Sequence, residues 1–108
     1  DWGWAPEYVA AMWLMLQQKE PNDFIIATGK TISLKDFVML TFKFLNLNWK
    51  DHVILNNAYL RPTDILAGYA NPLKAHKILG WQAKYKVEDV IKMLIDDEAC
   101  EYNKLNKN

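Results

Sequence analysis

The chain has 108 residues, enough for one small domain, and its 51% hydrophobic and 13% aromatic content is too rich for intrinsic disorder. Thirteen basic residues balance thirteen acidic ones, so no global field favours nucleic acid or an anionic membrane surface as a partner. A single cysteine, Cys100, rules out an internal disulfide framework and suits the reducing cytoplasm, and no stretch approaches the ~20 apolar residues of a membrane span.

The chain opens Asp1-Trp2-Gly3-Trp4 with no initiator Met and runs straight into a helical pattern, as the interior of a longer protein would. From Pro6 to Gln18, Val9, Met12, Trp13 and Leu16 recur at helical spacing, and Pro6 suits a first turn whose amide hydrogens are unpaired anyway. This Met12-Trp13 stripe is expected to be helix core. After the breakers Glu20 to Asp23, the run Phe24-Ile25-Ile26-Ala27-Thr28, closed by Gly29, reads as a buried strand.

Ser33 and Asp36 form a capping-box pattern, and Phe37, Leu40, Thr41, Phe44 and Leu45 continue a second helix to about Leu45. Asn46-Leu47-Asn48 ends it, and a second strand is expected at Val53-Ile54-Leu55. Tyr59 to Asp64 is a loop, because Pro62 disfavours a helical Arg61. Asn71 and Pro72 start a third helix that Gly80 stops. Val87, Val90, Ile91 and Leu94 mark a last helix from about Val87 to Ala99 or beyond, with a polar tail over residues 100–108 that frays.

The fold class that follows is α/β, rich in helix: four helices interleaved with two or three short strands. Residues 1–99 form the domain. So few short strands cannot make an ordinary sheet alone, so they are expected to complete one begun elsewhere.

The chemistry of catalysis is missing from this pattern. Gly3, Gly29, Gly68 and Gly80 are too far apart to make the glycine-rich turn that brings a dinucleotide pyrophosphate onto backbone amides, and no Tyr-x-x-x-Lys is present. His52 and His76 are isolated, and Asp96-Asp97-Glu98 points around a helix rather than at one ion, so no metal is expected. The loop remains. Arg61, held by Pro62, could turn its planar fork to a diphosphate while Asp64 accepts ribose hydroxyls, or the two could form a surface pair that steadies a turn.

Several segments bear on that choice. Asp1-Trp2-Gly3, Glu7-Tyr8-Val9, Ala11-Met12-Trp13, Met15-Leu16-Gln17-Gln18, Ser33 to Val38, Leu60-Arg61-Pro62-Thr63-Asp64 and Lys74 to Trp81 together resemble the carboxy-terminal part of GDP-mannose 4,6-dehydratases, which are extended short-chain dehydrogenases. The resemblance implies the substrate-binding portion of that fold, with the Rossmann half absent here. In the family that half holds NADP and a Thr, Tyr and Lys catalytic set. The whole lyase converts GDP-mannose to the 4-keto-6-deoxy sugar by oxidation at carbon 4, loss of water across carbons 5 and 6, and return of the hydride.

Carried over, Arg61 would bind the diphosphate and Asp64, where the family often has Glu, the ribose; Tyr59 matches an aromatic beside the same loop. The chain alone would then bind a nucleotide sugar without cofactor or turnover. Trp4 stands where a His is usual, and Lys86 where a small hydroxyl residue would cap the last helix. Two other readings stay open: a non-catalytic remnant that self-associates through the face meant for the missing half, or the same portion of a related nucleotide-sugar epimerase or reductase.

Overall fold

A computed structural model describes residues 1–61, 63, 65 and 67–105. Its elements are α1 (Ala5–Leu16), α2 (Leu34–Phe44), single 3-10 turns at Trp49–Asp51 and Asn57–Tyr59, α3 (Leu73–Leu79) and α4 (Val87–Leu105).

The helix boundaries follow local chemistry. α1 opens with a proline in its first turn and Glu7 beside the helix's positive end, and no side chain caps it. α2 carries the complete capping box: the Ser33 hydroxyl accepts the Asp36 N–H at 3.0 Å, and the Asp36 carboxylate accepts from the Ser33 amide and hydroxyl. α3 begins two residues after Asn71, whose side-chain oxygen accepts the Leu73 N–H at 3.1 Å. It stops at Gly80, which takes φ +66°, a left-handed conformation that glycine adopts without steric cost. At α4, where Lys86 stands in place of a hydroxyl cap, the reciprocal half of the capping box remains: the Asp89 carboxylate accepts the Lys86 N–H at 2.9 Å. That helix continues to Leu105.

The expected strands do not form: among the described residues there is no β-strand. Residues 24–28 and 53–55 are not paired into a ladder. Their β-branched and aromatic residues favour extended backbone, but an extended segment becomes a strand only when a neighbour pairs with its amides and carbonyls.

Packing is divided between two helix pairs, α1 with α3 and α2 with α4. Around the first, Ala11, Ala75, Leu79, Trp81 and Ala83 are buried, with Tyr8, Leu14, Met15, Phe24 and Ile26 against them. Around the second, Val87, Val90 and Ile91 are buried. The small residues Ala11 and Ala75 have no exposed surface, as close approach of two helices requires.

The stripe expected as the core of α1 faces outward. Trp13 is 61% exposed and Leu16 82%, with Val9 and Met12 similarly open. α1 is apolar around most of its circumference, so its periodicity did not identify which face meets α3. The phenylalanine-rich end of α2 is likewise exposed at Phe44 and Leu45.

The shape matches this division. The radius of gyration is 17.8 Å, where a compact chain of this length has about 13 Å. The molecule measures 52 × 44 × 21 Å, a slab two helix layers thick. No helix among the described residues is long and apolar enough to cross a membrane.

Candidate functional site

The site begins with the turn that ends the extended segment 24–28. The Asp1 carboxylate accepts the N–H of Thr28 at 2.9 Å and of Gly29 at 2.8 Å, one oxygen to each. The Lys86 ammonium donates to the Thr28 carbonyl at 2.8 Å from the opposite side. Gly29 has φ +74°, the left-handed turn that lets both amides point at one carboxylate. Lys30 then pairs with Glu88 at the start of α4, and the hydrogen bond from that ammonium holds the Glu88 carboxyl below its usual range. The pair is half exposed and contributes little to stability in salt.

From this turn the chain passes through Thr31 and Ile32 into the α2 cap. The Thr31 hydroxyl donates to the Gly68 carbonyl at 2.7 Å, which brings the far end of the loop after Arg61 against the same turn. Trp2 packs on Phe37 with ring centroids 4.4 Å apart. Between these elements lies an open cleft of about 750 Å³, walled by Asp1, Trp2, Thr31, Asp36, Ile65 and Tyr69 among others. That volume lies within the range of small-molecule sites, roughly 300–1,000 Å³. Its lining is mixed, with an indole and a phenol beside hydroxyl and carboxylate groups.

Tyr59 closes the second 3-10 turn and is 83% exposed, and Arg61, two residues on, is also exposed. Neither lines the cleft. Asp64 lies outside the described residues. The loop enters the cleft through Ile65 and Gly68. His52 stacks on Phe42 with centroids 5.3 Å apart, and His76 is exposed on α3. No group of three or more His, Cys, Asp or Glu able to hold a metal occurs among the described residues.

A nicotinamide dinucleotide needs glycines at a strand-to-helix turn, and the glycines here do other work. A side chain at Gly3 would strike the Tyr8 hydroxyl at 2.1 Å, Gly29 makes the Asp1 turn, and Gly80 caps α3. Gly68 has open space about it and no helix following directly. Among the described residues no glycine-rich strand-to-helix turn occurs.

Sequence reasoning missed Asp1 and Thr31, which line the cleft, and Lys86, which holds the turn beside it. Their contacts span 27, 37 and 58 positions, so no periodicity or short motif announces them.

Comparison with known proteins agrees with the early resemblance. The sequence profile of the family described as GDP-mannose 4,6 dehydratase matches residues 1–94. GDP-mannose 4,6 dehydratase 1 of Arabidopsis thaliana is 43% identical over 98 residues, covering 91% of this chain and 27% of the relative. The Dictyostelium discoideum GDP-mannose 4,6 dehydratase is 39% identical over 88% of the chain and 32% of its own length, and the Homo sapiens protein 33% identical over 88% and 30%. The chain thus spans about a quarter to a third of the length of these curated relatives. With matched segments running from Asp1 through the Arg61 loop into α4, the chain belongs to the GDP-mannose 4,6-dehydratase family.

Proposed function

We propose that this chain supplies the nucleotide-sugar-binding wall of a GDP-mannose 4,6-dehydratase, with Arg61 gripping the diphosphate, Asp64 the ribose and Tyr59 packing beside them. The family match over residues 1–94 carries this reading. The exposed guanidinium of Arg61, on a loop that leads into a cleft of about 750 Å³, supports it. An arginine fork suits a diphosphate because it offers two parallel N–H donors to adjacent oxygens.

A complete enzyme of this kind would be an NADP-dependent lyase of the cytoplasm. The nicotinamide supplies the hydride exchange, and this chain's part is binding and orientation. Titration calorimetry with GDP and GDP-mannose tests the reading. The chain is expected to bind both, and Arg61→Ala to weaken binding about tenfold or more, since a hydrogen bond to a charged group contributes roughly 1.5–3 kcal/mol. A folded chain that binds neither ligand overturns it.

A second reading rests on the outward face of α1, where Val9, Met12, Trp13 and Leu16 are exposed together. Such a patch favours a covering partner, whether a Rossmann half or another copy. Light scattering after size exclusion separates the two, because self-association through this face yields a dimer that Trp13→Glu dissolves.

A further inference from the structure

We propose that Thr31 is a positioning residue: its hydroxyl, donating to the Gly68 carbonyl, fixes the far end of the Arg61 loop against the cleft wall. The inference rests on the nucleotide-binding reading above and assigns a role in it to a residue outside the Arg61 loop.

Among the described residues of the loop, the large apolar side chains Leu60, Ile65 and Tyr69 are all exposed, so burial of these three does not hold it. A β-carbon on Gly68 would meet nothing within 4 Å, so that stretch is not held by packing at Gly68 either. The bond from Thr31 is short, 2.7 Å, and joins residues 37 positions apart.

Thr31 is well placed to serve as the fixed post. Two residues before it, Gly29 is tied to the Asp1 carboxylate, and Thr28 is tied from both sides by Asp1 and Lys86. Two residues after it, Ser33 is locked into the capping box of α2. A hydroxyl held between two fixed points donates without losing much of its own freedom, so the bond acts mainly on the loop. The anchor at Gly68 lies seven positions after Arg61, and fixing it shrinks the volume the guanidinium explores. Binding of an anion by Arg61 then costs less ordering.

The test combines two measurements on the full 108-residue chain. Amide hydrogen exchange of residues 65–69 reads the anchor directly, and calorimetric titration with GDP reads its consequence. Thr31→Val keeps the shape and removes the donor; it is expected to speed exchange in 65–69 and to weaken GDP binding about threefold to tenfold, with the thermal midpoint little changed. Thr31→Ser restores the donor and is expected to restore both values. If Thr31→Val fails to fold, Thr31→Ala against Thr31→Ser makes the same comparison. Unchanged exchange in the donor-free variants overturns the anchor. Faster exchange with unchanged GDP affinity overturns the positioning role. A wild-type chain that binds no GDP overturns the nucleotide reading and the positioning role built on it, while the exchange data still decide the anchor.

Discussion

Trp81 donates its indole N–H to the backbone carbonyl of Glu7 at 2.9 Å, and the carboxylate of that same Glu7 accepts the backbone N–H of Lys84 at 2.9 Å and Tyr85 at 3.3 Å. One residue in the first turn of α1 therefore binds the whole segment after α3, and a buried indole is satisfied by the same contact.

Removing that acceptor has a calculable effect. Glu7→Ala is expected to destabilise the chain by about 1–3 kcal/mol, because two backbone donors lose a charged partner. Trp81→Ala is expected to cost about 3–5 kcal/mol through the cavity it leaves. Urea denaturation followed by circular dichroism checks both, and an effect of Glu7→Ala below about 0.5 kcal/mol would show the clasp to be incidental.

Two glycines should respond to alanine for different reasons. At Gly80 the obstacle is the backbone, φ +66°, and Gly80→Ala is expected to cost about 1 kcal/mol with no change in its neighbours. At Gly3 the obstacle is the Tyr8 ring, whose hydroxyl lies 2.1 Å from where the β-carbon would go. Gly3→Ala is expected to cost about 1–3 kcal/mol, and Tyr8→Ala in the same chain should relieve much of the clash. A double-mutant cycle that shows the two changes to be additive would contradict this.

Tyr8 also gives a pH dependence. Partial burial, with the Glu7 carboxylate adding to it, raises the phenol above its ordinary value of 10.0. The folded chain thus keeps this proton to higher pH than the unfolded chain does. The associated stability is complete below 10.0 and falls as pH rises beyond it, because the unfolded state ionises first. Urea midpoints on either side of that value should show a loss that Tyr8→Phe reduces; an identical loss in Tyr8→Phe would assign it elsewhere.

The outward face of α1 makes a further prediction. Met12→Glu and Trp13→Glu are expected to change stability by no more than about 0.5 kcal/mol each, since both side chains are mostly exposed. Were they core residues, truncation alone would cost about 2–5 kcal/mol. Equilibrium unfolding distinguishes the two, and solubility should rise with either change.

Elements whose cause is local were legible in the sequence. Ser33 and Asp36 announced the α2 cap, Gly80 the end of α3, and the spacing of Val87, Val90 and Ile91 the buried side of α4. The strands at 24–28 and 53–55 were not, because β-propensity says a segment is extended and not whether a neighbour will pair with it. The buried face of α1 was missed because apolar side chains occupy both sides, and Ala11, which has no exposed surface, carries little hydrophobic signal. The Arg61 loop was singled out by its residue types together with the family resemblance, whereas Asp1 and Thr31, which line the cleft, act across 27 and 37 positions and become visible only in three dimensions.

The clasp between Glu7 and the segment from Trp81 to Tyr85 also sets an order of events during synthesis. Trp81 follows Glu7 by 74 positions. At about 5–20 residues per second, a ribosome takes roughly 4–15 seconds to deliver the partner after α1 has been made. Throughout that interval α1, apolar around most of its circumference, has neither α3 nor the indole against its Ala11 face. A nascent chain of this design is expected to leave the Ala11 face of the helix from Ala5 to Leu16 open until Trp81 arrives.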